Sequence, residues 1–123
     1  KFKAGQVLKP GEIAVTSIDD IFLRKVMGVV ERCLSDENFS VEDLAREVAM
    51  SRSQLHRKLT ALTNQSPSDF IRYMRLHRAM ELLKKNAGTV SETAYAVGFS
   101  GVSYFSKCFQ EQFGVLPSEV PKA

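Results

Sequence analysis

The chain has 123 residues, 44% of them hydrophobic, with a formal net charge of +3 at pH 7, enough length and apolar content for one compact domain with a real core. No run of eighteen apolar residues occurs, so nothing in the sequence reads as a membrane-spanning helix. Four prolines, seven glycines and almost no β-branched alternation point to an all-α fold.

Residues 1–17 lack a helical period and carry Pro10 and Gly11; they read as an N-terminal arm or linker. The chain begins at Lys1 without a signal peptide, which suggests a segment of a larger protein. Residues 18–123 then form the domain. Asp19 or Asp20 can cap a first helix whose apolar positions Phe22, Val26, Val29, Val30 and Cys33 recur at helical spacing, ending near 35–38. Three further starts carry capping boxes: Ser40 with Asp43, Ser51 with Gln54, and Thr89 with Glu92. Phe39 with Leu44, and Met50 with Leu55, occupy hydrophobic-staple positions.

Between the second and third of these starts lies a long helix, 66–85, opened by Ser66 and Pro67. Its apolar residues surround most of its circumference, as expected of a spacer helix buried between neighbours, and a packed, hydrogen-bonded role is expected for His77. Asn86, Asn64 and Gly114 can supply left-handed residues that end helices. A short last helix is expected from Pro117.

The segment Ser40–Leu59 is echoed by Thr89–Phe109. Ala45 maps to Ala94 at an offset of 49, and Arg57 maps to Lys107 at an offset of 50, so one residue is added in the second turn. Each copy reads as helix, tight turn, helix, over 40–64 and 89–114. Stepping about 100° per residue places Leu59 and Leu62 within about 40° of Leu55, with Ser53, Arg57 and Thr60 opposite and His56 at the flank. In the second copy Phe105 and Phe109 form the apolar stripe, beside Val102 and Phe113. Ser103, Lys107 and Gln110 point outward there, flanked by Ser106. A helix entering the major groove of DNA needs such exposed hydrogen-bonding side chains, because base edges there display a readable donor and acceptor pattern. An arginine at 57 can bind guanine in a bidentate way; Lys107 can reach guanine or a phosphate.

Charge is unevenly distributed. Residues 1–50 carry 7 Lys/Arg against 9 Asp/Glu, residues 51–88 carry 8 against 2, and residues 89–123 carry 2 against 3. The central excess suits a polyanion, and Lys84 and Lys85 are either phosphate contacts or a solvated helix end. Cys33 and Cys108 lack metal-ligand spacing and read as free thiols in or near the core, in a reduced compartment. No paired carboxylates, nucleophile–histidine pair or phosphate-cradling glycine loop appears, so neither an enzyme nor a metal or cofactor site is expected.

Three segments together resemble the AraC/XylS DNA-binding domain: Leu44-Ala45 through Val48-Ala49-Met50-Ser51 to Leu55 and Arg57-Lys58-Leu59; Arg75-Leu76 with Ala79 and Leu82-Leu83; and Ala94 through Val97-Gly98-Phe99, Tyr104-Phe105, Phe109, Phe113-Gly114 to Pro117. The resemblance covers Phe39 to Val120. It implies seven helices, with two helix-turn-helix units joined by the long helix. It further implies that recognition helices 51–63 and 101–113 enter successive major-groove segments on one face of double-stranded DNA. By position, Arg52, Ser53, His56 and Arg57 in the first, and Val102, Ser103, Ser106 and Lys107 in the second, match the family's DNA-facing sites. Ala49 departs from the glycine often found in the first turn, Lys107 replaces a frequent arginine, and the tail lacks the family's aromatic-arginine ending.

The arm Val7-Leu8-Lys9-Pro10-Gly11-Glu12-Ile13-Ala14-Val15-Thr16-Ser17, followed by Asp19-Asp20-Ile21-Phe22-Leu23, resembles the junction after a receiver domain in hybrid two-component regulators of Bacteroides-like bacteria. The expected function is therefore the sequence-specific DNA-binding output module of a bacterial transcriptional regulator, controlled by an upstream phosphorelay. Promoter half-sites and RNA polymerase are its expected partners. The isolated domain is expected to be monomeric and the full-length protein a homodimer. The expected location is cytoplasmic, with the parent membrane-anchored if it is a hybrid sensor. The alternative is a protein-interaction module whose basic face docks an acidic partner.

Overall fold

The computed structural model describes residues 17–122. Within them the fold is all-α: α1 (Ser17–Arg32), α2 (Val41–Glu47), α3 (Arg52–Thr63), α4 (Pro67–Lys84), α5 (Val90–Ala96), α6 (Val102–Phe113) and a single 3-10 turn, Pro117–Glu119. Residues 1–16, which hold most of the arm and the first part of the junction-like pattern, lie outside the described residues; α1 begins at Ser17 and contains the pattern's second part, residues 19–23. Asp19 and Asp20 therefore sit inside the first turn of α1 rather than capping it, with Asp20 paired to Arg24 at 3.0 Å. The helix stops at Arg32, a few residues short of the expected end.

The chain divides into two compact units. Among the described residues the first comprises 17–32 and 39–71, the second 33–38 and 72–122. In the first, α1 packs on α2 and α2 on α3. Its core takes Phe22, Leu23, Val26, Val29 and Val30 from α1, Leu44 and Ala45 from α2, Leu55 and Leu59 from α3, and Phe70 and Ile71 from the start of α4. Each such side chain taken fully out of water contributes about 1.5–3 kcal/mol. Leu62, expected in the same stripe, is only half-buried, while Thr63 is buried. Thr63 keeps its hydroxyl satisfied by donating to the Leu59 carbonyl at 2.8 Å and accepting from the Gln65 amide at 3.2 Å.

In the second unit α5 packs on α6, and the 3-10 turn on α6. Leu76, Ala79 and Leu83 of α4 join Ala94, Val97, Phe99, Phe105, Cys108, Phe109 and Val120 in one cluster. Aromatic rings run through it: Phe105 meets Phe99 and Phe109 with ring centroids 5.1 and 5.7 Å apart. Cys108 is buried and Cys33 half-buried, both as free thiols.

Two further expectations need correction. The expected seventh helix is a single 3-10 turn, so the described residues hold six α-helices. Only three residues separate Leu116 from Val120, and both are extended. The turn closes when the Leu116 amide donates to the Glu119 carboxylate at 2.8 Å. His77 is not buried among hydrogen-bond partners. The residue is exposed overall on α4, but one side of its ring is covered by Tyr73 and Phe113, centroids 4.4 and 5.6 Å away.

Candidate nucleic-acid interface

Each motif is built from a seven-residue helix, a turn and a twelve-residue helix: α2 then α3, α5 then α6. Both seven-residue helices carry the reciprocal caps that their sequences foretell. Ser40 Oγ accepts from the Asp43 amide at 3.2 Å while the Asp43 carboxylate accepts from the Ser40 amide at 3.0 Å. Thr89 and Glu92 repeat the exchange at 3.0 and 2.8 Å. Such caps are worth about 1 kcal/mol each and fix where the helix starts.

The turns share one device. Ala49 has φ 58° and Gly98 has φ 90°, both in the left-handed region. The following amide reaches back in each case, from Met50 to the Ala45 carbonyl at 2.9 Å and from Phe99 to the Ala94 carbonyl at 3.0 Å. This is a Schellman closure of the short helix. The next helices differ in how they begin. Ser51 caps α3, its Oγ accepting from the Gln54 amide at 3.1 Å and its own amide donating to Gln54 Oε1 at 3.0 Å. The residue added in the second turn moves Ser100 out of that place, and Gly101 stands at the start of α6 with no side-chain cap.

On α3, Arg52, Ser53, His56 and Arg57 are all exposed and line one open surface recess. Leu55 and Leu59 on the opposite face are fully buried. The helix is thus anchored by one face and offers the other. Arg52 Nη1 donates to Glu42 Oε2 of α2 at 2.9 Å, whereas Arg57 projects without an ion-pair partner among the described residues. Thr60, also expected outward, is half-buried and directs its hydroxyl to the Gln65 carbonyl at 3.3 Å.

On α6, Ser103, Lys107 and Gln110 are exposed and Ser106 is half-buried. Val102 is half-buried as well and packs against the core of the second unit, so it presents only part of its surface. Both helices end on left-handed residues, Asn64 at φ 61° and Gly114 at φ 79°.

The central basic excess does not form one continuous patch. Arg75 is buried, donating from Nη1 to the Val97 carbonyl at 3.1 Å and from Nη2 to the Asp36 carbonyl at 3.0 Å. Burial pushes its pKa below the ordinary arginine value. Arg78 pairs with Glu81 at 2.9 Å, and Lys58 lies 3.9 Å from Asp19 and 5.0 Å from the centre of the Phe22 ring. Arg75 is the positioning residue that charge counting misses. The signal available was its place among buried neighbours on α4, since a cation between Met74 and Leu76 needs fixed acceptors.

Comparison with known proteins agrees with this architecture. A family model described as a helix-turn-helix domain matches residues 44–123. The chain is 40% identical over 119 residues to "Histidine kinase P4" of Formosa agariphila, covering 97% of the chain but only 9% of that protein's length. It is similar to the crystal structure of an AraC-type transcriptional regulator from Chromobacterium violaceum, with a TM-score of 0.77, 28% identity, and coverage of 85% of this chain and 92% of that one. It is also similar to the DNA-binding domain of AdpA, a global transcriptional factor crystallised with a target DNA, with a TM-score of 0.71, 29% identity, and coverage of 79% and 86%. The chain belongs to the AraC-type helix-turn-helix DNA-binding domains.

Proposed function

We propose that this chain is a sequence-specific DNA-binding domain of a bacterial transcriptional regulator that places α3 and α6 in successive major-groove segments of duplex DNA. The observation that carries the reading is the duplicated disposition of the two twelve-residue helices. Each buries one apolar face and offers hydrogen-bonding side chains at matching places: Ser53 and Ser103, His56 and Ser106, Arg57 and Lys107. Arg57 and Lys107 supply reach and charge, and the serines allow close approach to base edges. Membership in a family of DNA-binding transcription regulators, and the DNA complex of AdpA, support the same reading. A docking surface for an acidic protein would not require the same outward pattern twice.

Control by an upstream phosphorelay is part of the proposal, supported by the likeness to a histidine kinase of which this chain spans 9%. Phosphorylation would pair two such domains on two half-sites. Tethering then makes the second engagement intramolecular, and avidity rises on the order of 10²–10⁴ without any new contact. The parent would act in the cytoplasm of its bacterium and hand the signal to RNA polymerase.

Selection of binders from a random duplex library tests the reading. Enrichment of one sequence is expected; retention of duplexes without sequence preference would overturn it. A gel-shift titration on one and two half-sites tests the control mechanism. An artificially dimerised form should bind the paired site far more tightly than the single domain, and equal affinity would rule pairing out.

A further inference from the structure

We infer that Glu42 is a specificity-determining residue of the first motif, holding the Arg52 guanidinium so that Arg52 reads a base rather than a phosphate; this rests on the DNA-binding function proposed above. Glu42 stands in the first turn of α2, and Arg52 is the first residue of α3 after the Ser51 cap. Their side chains meet at 2.9 Å through Nη1 and Oε2, with 65% of the Arg52 side chain and 58% of the Glu42 side chain exposed. An exposed pair of this kind contributes little to folding, so its place on the outward face calls for another role.

The duplication supplies an independent observation. At the offset of 49 that relates α2 to α5, Glu42 corresponds to Ser91; at the offset of 50 that relates α3 to α6, Arg52 corresponds to Val102. Both members of the pair are therefore replaced together. Where the cation is lost the carboxylate is lost too, and Val102 instead packs against the core of its unit. The neighbouring acid does not behave this way. Asp43 corresponds to Glu92, and both serve as the second half of a capping box.

Electrostatics separate the two roles Arg52 could have. As a plain phosphate contact, Arg52 would be weakened by Glu42, whose charge cancels its own and repels the DNA backbone. As a base reader it gains. The carboxylate occupies Nη1 and leaves the Nε–Nη2 edge, whose two parallel N–H groups match a bidentate acceptor such as guanine. Fixing the long side chain before binding removes ordering cost from the recognition step, and the pair strengthens when DNA excludes water from it.

The test uses random-duplex selection and salt-dependent titration on the wild-type chain, Glu42→Gln, Arg52→Ala and the double variant. Arg52→Ala should reduce preference at one base position by about fivefold or more, the lower end of a bidentate arginine–guanine contribution. Glu42→Gln should bind non-specific duplex more tightly yet lose preference at that same position, and the double variant should match Arg52→Ala in base preference. Unchanged melting of Glu42→Gln would show that α2 is intact. If Glu42→Gln returns the wild-type motif with uniformly higher affinity, Glu42 only repels DNA and the inference is overturned. If preference is lost at a base that Arg52→Ala leaves untouched, Glu42 does not act through Arg52 and the inference also fails. Absence of any wild-type motif would instead defeat the proposed function, and this inference with it.

Discussion

The guanidinium of Arg75 occupies the space that a side chain on residue 98 would need. A β-carbon built on Gly98 would collide with Arg75 Nη1 and with the Leu34 carbonyl, so glycine is required there by crowding as well as by its φ of 90°. The corresponding Ala49 carries a β-carbon at φ 58° and is exposed. The two turns close with the same hydrogen bond but differ in tolerance.

Opposite substitutions should therefore have opposite signs. Ala49→Gly removes a left-handed strain of about 1 kcal/mol and should raise stability, less the entropy that glycine adds to the unfolded chain. Gly98→Ala should destabilise by more than that, because the buried Arg75 must also give up carbonyl acceptors. Denaturant unfolding of the two variants checks both signs, and a stabilised Gly98→Ala would contradict the packing described.

The start of α6 is open to improvement. Gly101 has extended backbone angles, φ −150° and ψ 147°, suited to a capping residue, and a β-carbon there meets nothing within 4 Å. Gly101→Ser should supply the missing cap and stabilise by a few tenths of a kcal/mol. Thermal melting measures it; a clear loss of stability would show that the added residue serves the turn in some other way.

The caps and left-handed stops were legible in the sequence because each depends on residues three or four apart. Ser40–Asp43, Ser51–Gln54, Thr89–Glu92, Asn64 and Gly114 all stand where local chemistry puts them. The outward faces of α3 and α6 followed from periodicity, with Thr60 and Leu62 as the local misses. For Arg75 only the buried position between Met74 and Leu76 was legible; its acceptors were not, since the Asp36 carbonyl lies 39 residues away. The Glu42–Arg52 pair escaped for the same reason: ten residues and a turn separate its members. The last helix starts at Pro117 as expected but is a single 3-10 turn, Pro117–Glu119, because Pro117 fits a 3-10 turn as readily as an α-helical start.

Arg57 and Lys107 should divide the binding energy between two sites. Arg57→Ala should cost roughly 1–3 kcal/mol on the preferred sequence and relax base preference within one half of it, if Arg57 reads a base. Lys107→Ala should weaken binding through the other half. Selection of binding sites with each variant checks this, and an unchanged motif for Arg57→Ala would reduce its role to a phosphate contact or none.

His77 gives the second unit a pH dependence. Burial of part of its ring is the main cause holding its pKa below the ordinary 6.5, with Lys84 acting the same way and Glu81 opposing. The unfolded chain therefore takes up the proton first as pH falls. This contribution to stability is fully present above about 6.5 and is lost as pH drops toward the lower folded value. His77→Phe keeps a ring against Tyr73 and Phe113 and removes the titration. Its melting temperature should fall less than that of the wild type between pH 7 and pH 5, and parallel curves would refute the assignment.

A hydroxyl-radical footprint of this chain on its selected duplex tests the central claim most directly. Engagement by both α3 and α6 predicts two protected backbone segments on one face of the DNA, about one helical turn or 34 Å apart, with Arg57→Ala thinning one and Lys107→Ala the other. Protection of a single segment would contradict it.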